Sequence, residues 1–198
     1  MTEKEQALQD ALWVARSLFS RGKTSGSSAN MSFLADGLMY ITASGSCFGR
    51  LTEDDFASID LSTESSVSSR KPSKEYPLHL SYYRTHPGVR AVVHTHGFYS
   101  ILWSMLPHEN PADIIPDHTP YLKMKLGTVG LVPQFAPGTP ELFAAFERCA
   151  PHSDGFILKN HGAIVGSKSV LDAFYALEEL EDAAHIAWTV RQAGLDNG

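Results

Sequence analysis

His94 and His96 stand one residue apart at the end of an apolar run, Ala91-Val92-Val93-His94-Thr95-His96. Side chains in an extended segment alternate between faces, so residues two apart point the same way. Such a strand presents two imidazoles side by side, an arrangement that chelates a divalent metal. His161 follows a second short apolar run, Gly155-Phe156-Ile157-Leu158, and precedes Gly162. Strand ends of this kind are where an α/β sheet places site residues. Glu75, in Lys71-Pro72-Ser73-Lys74-Glu75, adds a carboxylate, although an acidic residue near a helix start also simply favours the macrodipole. Three imidazoles with an open or carboxylate-filled fourth position form the donor set of a catalytic rather than a structural zinc. One Zn2+ per chain is the expected cofactor; iron, cobalt and manganese also accept imidazoles.

Two loops of small residues are suited to an anion. Asn30, closing Thr24-Ser25-Gly26-Ser27-Ser28-Ala29-Asn30, and the Ser44-Gly45 turn offer backbone N–H groups and short polar side chains that can wrap a phosphate. Turn chemistry alone accounts for both loops equally well. Neither matches a Walker A or dinucleotide glycine pattern, so nucleotide binding is not indicated. Of the remaining histidines, His79, His86, His108, His152 and His185 read as structural, and His118 stays open.

The 198 residues suit one domain, 1–198, with a substantial core. A hydrophobic fraction of 43% and a charged fraction of 19% are ordinary globular values and argue against disorder. The net charge of -6 argues against nucleic acid, while a small anionic substrate stays open. Cys47 and Cys149 form no CxxC pair and read as small hydrophobes or spare thiols. The start shows no basic-then-apolar leader, and no run approaches a membrane span. A cytoplasmic protein is expected.

The elements that would position these residues are legible in outline. Thr2 and Glu5 have capping-box spacing before a helical apolar pattern that ends at Arg21-Gly22. Met31–Leu34 and Leu38–Thr42 read as strands joined by Ala35-Asp36-Gly37, a hairpin signal. Thr63–Ser69 is serine-rich and reads as an exposed connection. A helix is expected from Tyr76 to Tyr83, another over Tyr99–Leu106, and an irregular stretch over Pro107–Pro120. Met124–Val132 reads as one or two strands and Glu141–Cys149 as a helix. Ser169 and Asp172 cap a last helix whose stripe includes Val170, Phe174, Leu177, Leu180, Ala184 and Trp188. Helices at both ends with mixed signals between them favour helices covering a mixed sheet.

In this order, Ser28-Ala29-Asn30-Met31-Ser32, Ile41-Thr42-Ala43-Ser44-Gly45, Pro72-Ser73-Lys74-Glu75, Ala91–His96 and Asn160-His161-Gly162 resemble the class II aldolase/adducin-head family, over about residues 7 to 190. Gly45-Ser46-Cys47, Lys71–Glu75, Thr119-Pro120-Tyr121 and Glu178-Glu179-Leu180-Glu181 resemble its 3-oxo-tetronate 4-phosphate decarboxylase branch. The resemblance implies a three-layer α/β/α sandwich with a central mixed sheet, assembled as a homotetramer with sites between subunits. It implies His94, His96 and His161 as metal ligands, with Glu75 as proton acceptor and fourth ligand. Asn30, Ser44, Gly45 and Ser73 would hold the substrate phosphate, and Tyr121 would donate a proton in a neighbouring subunit's site. Lys74 stands where other branches carry Ser or Ala; it contacts the phosphate, orients a substrate carboxylate, or is a solvated lysine.

The implied reaction is decarboxylation of 3-oxo-tetronate 4-phosphate to dihydroxyacetone phosphate and CO2 through a metal-bound enediolate. A fuculose-phosphate-type aldolase reaches the same enediolate by breaking a different bond. An epimerase, a dehydratase, or a non-catalytic adducin-like interaction module are further alternatives. Two departures from the family pattern raise expectations of their own. Ala29 replaces a glycine and would be strained if its φ were positive. Gly97 replaces a serine and would loosen the strand end.

Overall fold

The computed structural model describes residues 1–195. Helix α1, Glu3–Ser20, starts on the expected capping box: the Thr2 hydroxyl accepts from Glu5 N–H and the Glu5 carboxylate accepts from Thr2 N–H. Strands β1, Asn30–Ala35, and β2, Leu38–Thr42, form the expected hairpin. Asp36 and Gly37 between them both take positive φ, 52° and 75°, as the tight hairpin turn requires. Strand β3, Phe56–Asp60, pairs with β2, and the two-residue β4, Ser65–Ser66, lies inside the exposed serine-rich connection.

Helix α2, Tyr76–Thr85, leads to β5, Ala91–Thr95, and α3, Phe98–Ser104. The strand reading of Met124–Val132 is corrected. Tyr121–Lys125 is a short helix, α4, and only Val129–Val132 is a strand, β6. Pro120, at φ -77°, pre-sets the first turn of α4, and Gly127, at φ 99°, separates helix from strand. Helix α5, Pro140–Cys149, strands β7, Gly155–Leu158, and β8, Gly162–Ser167, and helix α6, Val170–Gln192, follow.

The eight strands form one sheet in the order β4-β3-β2-β1-β5-β8-β7-β6. All neighbours are antiparallel except β6 and β7, so the sheet is mixed. Residues of α1, α3, α4 and α6 pack with Phe33, Val93 and Val165 on one face. Those of α2 and α5 pack with Val92, Phe156 and Ile164 on the other. This is the expected α/β/α sandwich. Among the described residues no helix is long and apolar enough to cross a membrane.

Alternation along β1 and β5 sorts their side chains between the layers. Met31, Phe33 and Val93 belong to the α1/α6 core, so Asn30, Ser32 and His94 face the α2 side. The β1–β5 register sets Asn30 opposite His94.

Candidate metal centre

His94, His96 and His161 converge: their ring centroids lie 5.1, 4.9 and 4.8 Å apart, and one nitrogen of each falls within 4.8 Å of the others. β5 delivers the first two. The third comes from the sharp turn between β7 and β8, where Asn160 takes φ 59°. Gly162 is needed there because a Cβ would lie 2.2 Å from the Thr95 carbonyl oxygen, which is backbone and cannot retreat.

Glu75 precedes α2 and reaches the same point. Its Oε2 is 3.5 Å from His94 Nε2, and its Oε1 is 3.3 Å from His161 Nε2. His94 Nδ1 lies 2.9 Å from the Ala163 carbonyl, which only accepts, so Nδ1 holds the proton and Nε2 is left free to ligate. Burial pushes both His94 and His161 down to about 3, and lowers His96 as well, so the imidazoles are neutral, the form that binds metals.

Buried polar atoms ordinarily have partners. Here His94 Nε2, both ring nitrogens of His161, and Glu75 Oε1 are buried without a hydrogen bond. Neutral imidazoles beside a buried carboxylate, with their lone pairs unsatisfied, fit a divalent ion.

A cavity of about 490 Å³ opens above the cluster, lined by Asn30, Ser44, Gly45, Ser73, Lys74, Glu75, His96 and His161 among others. A bridge between Ala43 and Pro72 lays the two small-residue segments side by side. Their backbone is partly committed: Ser44 N–H goes to the Lys71 carbonyl and Ser73 N–H to that of Thr42. Among the described residues no hydrogen bond takes Gly45 N–H or the Ser44 hydroxyl, which leaves these for an anion. Lys74 is exposed at the mouth, its chain passing under Gly138. His96 and His161 also border a second open cleft, with Phe135, Lys159 and Asn160. Tyr121 lines neither cavity; it begins α4 and is 57% exposed.

The two expected weak points are not weak. Ala29 is buried and is not among the non-glycine residues with positive φ, so it carries no strain. Gly97 is packed against the buried carboxylate of Glu181, which accepts from the N–H groups of Tyr99 and Ser100 at the start of α3. That anchor lies directly beyond His96. Sequence reasoning missed Glu181 as a contact of this turn, and it read His79 as structural. His79 is fully buried and bonds Asn30 and Ser32. The spacing of Glu75, just before α2, from His79 and Tyr83 on it, four residues each, was the available signal.

Comparison with known proteins agrees with this geometry. The chain is 36% identical to a 3-oxo-tetronate 4-phosphate decarboxylase of Pectobacterium atrosepticum, covering 94% of this chain and 85% of that one. It is 32% identical to an L-fuculose phosphate aldolase of Methanococcus vannielii, covering 90% and 94%. Among solved structures, YgbL of Klebsiella pneumoniae superposes with a TM-score of 0.89 at 34% identity, over 96% of this chain and 92% of that one. An L-fuculose 1-phosphate aldolase superposes at 0.82 with 26% identity, over 98% and 89%. The family model for the class II aldolase and adducin N-terminal domain matches residues 9–188, and the chain belongs to that family.

Proposed function

We propose that this chain is a zinc-dependent lyase that decarboxylates 3-oxo-tetronate 4-phosphate to dihydroxyacetone phosphate and CO2. One observation carries the reading. Three neutral imidazoles and a buried carboxylate converge beneath an anion-suited cavity, in a chain 33–36% identical to 3-oxo-tetronate 4-phosphate decarboxylases. Held by His94, His96 and His161, with Glu75 as a further donor, zinc would supply Lewis-acid stabilisation of the negative charge that decarboxylation generates.

The chain's own residues account for the rest. Gly45 N–H and the hydroxyls of Ser44 and Ser73, with Asn30 beside them, hold the 4-phosphate near the start of α2. Lys74 faces the substrate's charged end from the cavity mouth. Glu75 takes the C2 hydroxyl proton as the C1–C2 bond breaks and CO2 leaves. The electron pair of that bond passes onto the C3 carbonyl, giving an enediolate. A proton delivered to C2, and return of the hydroxyl proton, complete dihydroxyacetone phosphate. We assign the C2 proton to Tyr121 of a neighbouring copy, in a homotetramer whose sites lie between subunits; the exposure of Tyr121 away from its own cavities supports this. Helices packed on both faces of one sheet support a single domain over 1–198. A phosphorylated substrate and two free cysteines support a cytoplasmic setting.

Similarity to L-fuculose phosphate aldolases supports a second reading, retro-aldol cleavage of a ketose 1-phosphate, since it forms the same enediolate. The deciding experiment follows CO2 release from 3-oxo-tetronate 4-phosphate beside aldehyde release from fuculose 1-phosphate, each with and without a chelator. Chelator-sensitive CO2 release is the expected result. Aldehyde release alone would replace decarboxylase by aldolase.

A further inference from the structure

Four side chains behind Glu75 form one hydrogen-bonded chain. Asn30 Nδ2 is 3.0 Å from Glu75 Oε2, and Asn30 Oδ1 is 2.6 Å from His79 Nε2. His79 Nδ1 is 2.7 Å from Ser32 Oγ, which is 2.6 Å from the Tyr83 hydroxyl. Two periodicities interlock to build it: Asn30 and Ser32 share a face of β1, while Glu75, His79 and Tyr83 recur every four residues at and along α2.

The protons along this chain follow from chemistry. An ionised carboxylate only accepts, so Asn30 turns its amide nitrogen to Glu75 and its oxygen to His79. That oxygen only accepts, so His79 Nε2 is protonated. His79 is fully buried between an amide and a hydroxyl, so its ring is neutral and Nδ1 accepts from Ser32. Ser32 has then given its one proton and takes that of Tyr83. Every donor points towards the carboxylate, and such chains polarise cooperatively.

We infer that Asn30 and His79 are positioning residues for Glu75, holding its carboxylate as an acceptor aimed at the imidazoles. Asn30 has both ends of its amide committed, leaving one Nδ2 proton for phosphate. This role rests on Glu75 being the proton acceptor proposed above.

Histidine 15N spectra and steady-state kinetics test it together. In metal-free, histidine-labelled protein, assigned by difference against His79→Gln, His79 is expected as the Nε2–H tautomer at neutral pH. In Asn30→Ala it is expected to lose that pinning. An Nδ1–H tautomer, or averaging between tautomers in the unmutated protein, overturns the inference. In zinc-loaded enzyme, His79→Phe is expected to lower kcat about 10–100-fold with KM and bound zinc unchanged. His79→Gln keeps a donor and an acceptor and restores most of the rate. Ser32→Ala removes a single oxygen and is expected to lower kcat in the same way, so the kinetic test stands even if His79→Phe does not fold. Combining Asn30→Ala with His79→Phe is expected to lower kcat no further than Asn30→Ala alone. Additive losses in kcat, or an Asn30→Ala variant with raised KM at unchanged kcat, overturn the role, because Asn30 would then serve the phosphate alone. If the unmutated enzyme releases no CO2, the functional reading falls, and the tautomer still decides the hydrogen-bond chain.

Discussion

Gly97 and Glu181 occupy one space: a Cβ at position 97 would lie 2.0 Å from Glu181 Oε1. Glu181 is 3% exposed and is tied by two backbone N–H groups, so it cannot swing aside without freeing the start of α3. Gly97→Ala is therefore expected to destabilise the fold by about 1–3 kcal/mol, the usual cost of overpacking. Glu181→Ala alone leaves two donors unpaired, and the double variant is expected to lose less than the two single losses summed. Urea unfolding measures this, and strict additivity would dissolve the coupling.

His94 has the least freedom of the three imidazoles, fully buried with its Nδ1–H held by the Ala163 carbonyl. His94→Ala is expected to strip bound zinc and abolish turnover. Metal analysis after dialysis is the measurement; full zinc occupancy in the variant would reject His94 as a ligand.

Glu75→Gln keeps the shape and the oxygen that Asn30 needs, but not the base. Bound metal should be retained, while kcat falls on the order of 10²–10⁴-fold, the range for loss of a general base. A wild-type kcat would remove Glu75 from proton transfer.

How legible this site was depended on the range of each interaction. His94 and His96 were readable because strand alternation is local and period two survives burial. Asn30 and His79 lie 49 residues apart and Tyr99 and Glu181 lie 82 apart, so no local pattern links either pair. An isolated histidine in a helix has no visible partner in sequence, which is why His79 read as structural. The run after Met124 resembled strand because Val129 and Leu131 alternate at period two, whereas Leu126 and Val129 have helical spacing, and Pro120 decided for helix at its start. The unstrained backbone of Ala29 and the packing of Gly97 depended on tertiary neighbours that spacing does not encode.

The charge proposed for Lys74 at the substrate is the contact that would separate the decarboxylase reading from a generic phosphate site. Burial chiefly depresses His96 and His161 and the nearby Lys74 charge adds to it, while the Lys74 chain passes beside Gly138. Lys74→Ala is expected to raise KM for a phosphorylated keto acid about tenfold or more, as loss of a charged hydrogen bond of ~1.5–3 kcal/mol implies. Unchanged kinetics would return Lys74 to the solvent.

Acid stability follows from the buried histidines. Burial, and then the neighbouring His94, holds His79 down to about 3; burial, and then His96, does the same for His94. Unfolded histidine titrates near 6.5, so between about pH 6.5 and 3 the unfolded chain binds more protons than the folded one. Their contribution is whole above pH 6.5 and is lost as pH falls, each group adding up to about 1.4 kcal/mol per pH unit to the slope. Urea unfolding of chelator-stripped protein at pH 7.5, 6.0 and 5.0 is expected to trace that decline, and His79→Gln, which has no ring to charge, is expected to flatten it by one group's share. An identical slope in the variant would mean that His79 takes up its proton in the folded protein as readily as in the unfolded chain.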